Sequence, residues 1–277
     1  MRPVVRQLLC RLALLGVAVG GIGCGSGSGN GNVVTSDATG RRTVVRSATA
    51  PRAPLPLHGR VVVLDPGHNG GNAGASTTIN RPVPAGRGRT KACDTTGTET
   101  NDGLLTESRF NLLVAKATRS VLQRRGARVR LTRRTDTGVG PCINERAEIG
   151  NHAKADVVIS IHADGGPPSG QGFHVIYPAD TAAMVAPSIV APSLRLAMTL
   201  RSSLQRAGRQ PADYIGSAGL DQRGDLGGLN LSTVPKVFVE SGNMRSSEDA
   251  ARLENAAWRA RTALALADGV SRYLNQP

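Results

Sequence analysis

Four side chains in this 277-residue sequence carry groups that together could hydrolyse an amide: His68 in RVVVLDPGHNGG, Glu107 in LLTESRFNLL, His162 in ADVVISIHAD and Glu240 in VPKVFVESGN. Each stands where an apolar run, or a capped helix start, meets a loop. Two imidazoles and one carboxylate make a three-ligand set for Zn2+ with one coordination position left for water, and a second carboxylate supplies the proton acceptor that such a site needs. His68, Glu107 and His162 are therefore the candidate metal ligands, and Glu240 is the candidate catalytic base. Each also has a plainer reading. A lone histidine in a turn can be structural, and Glu107 sits in a first helical turn, where the helix dipole favours a carboxylate anyway. Asp65 and Asp164, beside the two histidines, are either acceptors that orient an imidazole or loop acids. Glu240 ends the apolar run VFV, where a charge costs energy unless it is solvated, paired or used. Taken together, the four placements point to a hydrolase.

These groups need elements to aim them. The pattern predicts strands over 60–64, 129–132, 157–161, 172–177 and 236–239, and helices over 106–125, 144–152, 193–207 and 248–273. Gly126 stops the first helix. A long Gly-, Thr- and Arg-rich loop runs through residue 103, and the stretch 179–192 reads as another loop. Strands alternating with helices imply an α/β fold, a mostly parallel or mixed sheet flanked by helices. In such sheets ligands gather beyond the carboxyl ends of strands, where His68, His162 and Glu240 all fall.

The first 24 residues read as a signal peptide: Arg2, Arg6 and Arg11, then an apolar stretch too short to span a bilayer, then small residues. Export is expected, to the cell envelope. Cys24 is either a lipid-accepting cysteine or the end of a plainly cleaved signal. Residues 25–57 read as a flexible linker and 58–277 as a single catalytic domain. The formal charge is +14, of which seven arginines and Asp37 place +6 in residues 1–57 and leave +8 for the rest. Such a balance suits an anionic partner, a membrane surface or an acidic wall polymer. Nucleic acid is excluded as a partner, because aromatic content is only 3% and no stacking platform is visible. Beyond residue 24 the only cysteines are Cys93 and Cys142. An exported pair outside any CxxC fits a disulfide, with two free thiols as the alternative, and closing that loop would restrict the unfolded chain by roughly 4 kcal/mol.

The motifs LDPGHNGG, LTRRTD, NERAEIGN, SIHAD and VFVESGNM, with the helix-opening Glu107, resemble those of the zinc-dependent N-acetylmuramoyl-L-alanine amidases of the type 3 class, over roughly residues 59–274. GRGRTKAC, GPCINERA and DLGGLNL are similar to the small secreted single-domain amidases of actinobacteria. The resemblance implies a twisted, mixed, mostly parallel sheet of about six strands between helices. It also implies zinc on His68, Glu107 and His162, catalysis by Glu240, a Cys93–Cys142 disulfide, and peptidoglycan as substrate, cut between N-acetylmuramic acid and L-alanine. Arg87, Arg89 and Lys91 either pair with stem-peptide carboxylates or form a solvated basic loop. His174 is either a donor to the transition state or a structural histidine. A non-catalytic peptidoglycan-binding module and a zinc peptidase acting within the stem peptide are the alternative functions. Nothing in the sequence suggests obligate association, so a monomer is expected.

Overall fold

The computed structural model describes residues 55–276, together with 32–36 and 42–46. The signal peptide, Cys24 and most of the linker lie outside the described residues. Within the stretch read as linker, β1 (Asn32–Ser36) and β2 (Arg42–Arg46) pair antiparallel as a hairpin of their own unit. The catalytic unit starts earlier than residue 58: Leu57 is fully buried, and its N–H donates to the Arg125 carbonyl at 2.8 Å.

That unit is built on six strands in the order β6–β3–β7–β10–β8–β9: β6 (Arg128–Leu131), β3 (Val61–Pro66), β7 (Val157–Asp164), β10 (Lys236–Asn243), β8 (His174–Pro178) and β9 (Leu220–Arg223). All neighbouring pairs are parallel except β10 with β8. The sheet is thus mixed and mostly parallel, as the resemblance implies. A separate hairpin of β4 (Pro82–Pro84) and β5 (Thr90–Ala92) grows out of the loop after β3.

Alternation along the strands divides the two faces of the sheet. Val62, Leu64, Val157, Ile159, Ile161, Val237 and Val239 belong to the large core, which they share with apolar residues of α2 (Glu107–Arg124), α4 (Val190–Arg206) and α7 (Ala256–Leu274). The intervening Val63 and Val158 pack with Ile149 of α3 (Ile143–His152), and the same parity along the strands brings Asp65, Ser160, His162, Lys236, Phe238 and Glu240 to that second face. Two short helices, α1 (Ser76–Ile79) and α5 (Gly227–Asn230), lie in loops.

Several expected boundaries shift. The final helix is two, α6 (Ser247–Glu254) and α7, because Asn255 takes an extended conformation and its side chain caps α7 by accepting the Trp258 N–H. Helix α4 begins three residues before Ser193, with Pro192 in its first turn, where a missing N–H costs nothing. The polar edge strand β9 and the β4–β5 hairpin carry too little apolar alternation to be read from sequence.

Candidate metal centre and cleft

Strand β3 ends in Asp65-Pro66, and Gly67 follows with its N–H on the Ile161 carbonyl of β7 at 3.0 Å. A Cβ on Gly67 would lie 2.0 Å from Cε1 of His162, so only glycine lets the two strands deliver both histidines to one point. His68 itself sits at φ +55, a left-handed conformation uncommon for a side chain of this size. The third group comes from α2. Thr106 caps this helix by accepting the Arg109 N–H, which puts Glu107 in the first turn. Glu107 is buried between the rings: His162 Nδ1 is 2.9 Å from Oε1, and His68 Nε2 is 3.2 Å from Oε2. One ligand atom from each of the three residues falls within 4.8 Å of the others.

The hydrogen bonds fix the tautomers and thereby test whether a cation fits. His68 Nδ1 lies 3.1 Å from the Thr95 carbonyl, which can only accept, so Nδ1 carries a proton and a neutral ring would turn its Nε2 lone pair to Glu107. Asp94 flanks the same nitrogen at 3.4 Å. The single Ser160 hydroxyl proton goes to Asp65 Oδ2 at 3.0 Å, so Ser160 Oγ accepts from His162 Nε2 at 3.2 Å, and Nδ1 of that ring also faces Glu107 with a lone pair. Two lone pairs and a carboxylate aimed at one another are repulsive unless a positive charge stands between them. Titration expresses the same demand for positive charge, which without a cation is met by a proton on His68 Nε2 donated to Glu107. Burial opposes a charge on His68, yet Glu107 and Asp94 overcome it and push the imidazole pKa up to about 10. Burial likewise opposes ionised Glu107, but the two imidazoles hold it well below the usual carboxylate range. The donor set fits a divalent cation.

Asp65, expected to orient a ligand imidazole, works through other groups. It accepts Thr132 Oγ1 at 2.7 Å and Arg146 Nη1 at 2.8 Å, with Lys236 Nζ at 3.3 Å. Arg146 in turn reaches Asp94 at 3.0 Å, which makes Asp94 the carboxylate beside His68. Asp94 was hidden in the long loop, and no local pattern marks it. Asp164 is not free either: its Oδ2 accepts the Tyr214 hydroxyl at 2.9 Å.

Strand register places the remaining groups. Glu240 on β10 stands opposite His162 of β7 on one side and His174 of β8 on the other, so the three side chains form a row across adjacent strands. Phe238, two residues before Glu240, stacks on the His162 ring at 5.1 Å between centroids. Oε2 of Glu240 is buried without a hydrogen-bond partner among the described residues. Burial, then the charges of Glu107 and Asp164, push its carboxyl pKa well above the usual value. A cleft of about 530 Å³ is lined by His68, Glu107, His162, Glu240, Lys91 and Arg223, among others. His174 is buried outside this lining, with Nδ1 unpaired and its ring edge-on to Tyr214. Arg87 and Arg89 are exposed at the β4–β5 turn and do not line the cleft. Lys91, next along, does, and it meets Asp225 at 3.3 Å. Arg223, which sequence reasoning missed on the polar strand β9, is gripped by Asp225 at 2.7 and 2.9 Å. Cys93 and Cys142 are bridged, tying the end of the hairpin to the start of α3.

The chain has counterparts among known proteins. The chain is 42% identical over 231 residues to N-acetylmuramoyl-L-alanine amidase Rv3717 of Mycobacterium tuberculosis, covering 83% of this chain and 92% of that protein. The crystal structure of the N-acetylmuramyl-L-alanine amidase Ami1 from Mycobacterium abscessus superposes with a TM-score of 0.74 at 47% identity, covering 79% of this chain and all of that one. Ami1 from Mycobacterium smegmatis gives the same TM-score at 40% identity, covering 79% and 98%. The family model described as N-acetylmuramoyl-L-alanine amidase matches residues 62–272, a span that contains all four groups of the centre, and the chain therefore belongs to that family.

Proposed function

We propose that this amidase is a zinc enzyme that cuts the bond between the lactyl carbonyl of N-acetylmuramic acid and the amine of L-alanine, releasing intact stem peptides from peptidoglycan. His68, Glu107 and His162 would hold the ion. When bound, zinc supplies Lewis acidity that polarises the scissile carbonyl and acidifies water. Glu240 is the proton carrier. Its unpaired Oε2 takes the proton of the attacking water and hands it to the departing amine nitrogen, so that L-alanine leaves neutral. Asp94 and Ser160 hold the far nitrogens of the two imidazoles and keep both near lone pairs aimed at one point. Arg223 and Lys91 put positive charge on the cleft wall, which suits the carboxylates of a stem peptide, whereas Arg87 and Arg89 would meet only its outlying parts. His174 backs Glu240 as a neutral, structural ring, since burial pushes its pKa down.

The observation that carries this reading is the buried Glu107 carboxylate with ring nitrogens of His68 and His162 at 3.2 and 2.9 Å, and an unpartnered glutamate oxygen in the next strand. Action on peptidoglycan places the enzyme outside the cytoplasm. Residues 1–24 would be its export signal, with Cys24 either lipid-bearing or removed, and the catalytic unit would act as a monomer. Mass analysis of digested peptidoglycan tests the bond. An amidase yields stem peptides that begin with a free L-alanine amine, and fragments cut within the stem would instead assign a peptidase. Glu240→Gln tests the base: zinc content should persist while hydrolysis falls by roughly 100-fold or more. Loss of zinc from that variant would make Glu240 a ligand, and near-normal turnover would remove its role.

A further inference from the structure

A second cavity, of about 300 Å³, lies between α4 and α7 and shares no residue with the cleft of the metal centre. Ser203 and Arg206 of α4 face Arg261, Leu264, Asp268 and Arg272 of α7 across it. Positions 261, 264, 268 and 272 recur at intervals of three and four, so they share one face of α7. All three arginines are exposed. Carboxylates are nearly absent from these walls. Helix α4 has no acidic residue, and the single one in α7, Asp268, is already paired with Arg125 at 2.6 Å. Among the described residues Arg261 and Arg272 form no ion pair, and Arg206 donates only to the Ser203 hydroxyl at 3.0 Å.

Arg206 and Arg272 each stand in the last turn of their helix, where a cation suits the helix C-terminus, but three guanidinium groups gathered with no carboxylate of their own still make a region of positive potential. The guanidinium fork matches phosphate oxygens two at a time, which an ammonium does not. Arg261 and Arg272 are separated by eleven residues, a rise of about 16 Å along α7. A single phosphate cannot be shared comfortably over that span, whereas phosphates repeated along a chain can meet each arginine in turn. A flat bilayer suits the groove less well, because insertion needs an apolar face and only Leu264, 46% exposed, offers one here. We propose that the α4–α7 groove binds the phosphodiester backbone of an anionic polymer, which would retain the enzyme in a matrix carrying such polymers without engaging its cleft.

The test uses the full chain and the variant R206A/R261A/R272A, with synthetic poly(glycerol phosphate) as the probe in a binding titration at low and at physiological salt. The wild type should bind, more weakly at the higher salt, and the triple variant should lose about tenfold or more in affinity. Hydrolysis of a soluble muramoyl peptide should be the same in both, which also reports that the variant is folded. R206K/R261K/R272K should fall between them, since it keeps the charges and loses the forks. Equal binding by the wild type and the alanine variant, or no binding by the wild type, overturns the proposal. Tighter binding to phosphatidylglycerol vesicles than to the polymer would assign the groove to a membrane and overturn it as well.

Discussion

Asp65→Asn probes the support beneath the metal centre. The substitution keeps the shape of the side chain and removes its charge. Asp65 is buried and, among the described residues, is the only anion on Lys236, itself 1% exposed, whereas Arg146 keeps Asp94 at 3.0 Å. The cost therefore falls mainly on Lys236, which would face an amide N–H where it had a carboxylate oxygen. Removing one partner of a buried pair costs about 3–5 kcal/mol. For a unit of this size that corresponds to a fall of roughly 6–20 °C in Tm. The lower end is favoured by an escape: burial already lowers the Lys236 pKa, and with Asp65 gone that effect acts unopposed and the amine sheds its proton. The pH dependence has a definite sign. Burial works against the Asp65 charge, but Lys236, Arg146 and Thr132 outweigh it and hold the carboxyl far below its ordinary 3.8. Its contribution is complete above that value and fades as pH falls below it, so the wild-type advantage, which first widens as acid works against a neutral Lys236 in the variant, should narrow below pH 4. Denaturant titrations at neutral pH and below pH 4, with Asp65→Asn and the double variant Asp65→Asn/Lys236→Met, measure all of this. The double variant, which removes both partners, should recover at least half of the loss. A single-variant cost under about 1 kcal/mol, or no recovery in the double, would refute the reasoning.

Removing an imidazole by His162→Ala should abolish stoichiometric zinc binding, measured by metal analysis after gel filtration; a full equivalent retained would exclude His162 as a ligand. Gly67→Ala should do nearly as much without touching a ligand, because its Cβ would occupy the space of the His162 ring, and a variant with unchanged zinc affinity would show that the close approach is dispensable. Replacing Cys93 and Cys142 by serine frees a loop of sequence separation 49 and should lower stability by up to about 4 kcal/mol, read from denaturation without reductant.

The candidate metal set was legible because each of its residues sits at an element boundary that sequence marks well: apolar runs before His68 and His162, and a Thr cap before Glu107. Glu240 was legible as a charge that the run VFV has no reason to carry. What sequence did not give is what holds these groups. Asp94 reaches His68 from a loop, and Arg146 reaches Asp94 from α3, contacts separated by 26 and 52 positions that leave no periodic trace. Arg223 stayed hidden because an edge strand reading LDQR has no apolar alternation. The split of the last helix at Asn255 was marked by an Asn followed by a helical run, a cap signal outweighed by the apolar repeat on either side.

Strand order also governs when the centre can exist. Strands β7 and β8 follow one another in the chain but never touch, since β10, made more than fifty residues later, lies between them. A chain still lacking β10 has two open strand edges in the middle of its sheet and no Glu240. Insertion of β10 closes both edges and brings in Glu240, the candidate base, in one event. Until the last 42 residues, from Lys236 onward, have joined the sheet, the row of side chains across it is incomplete.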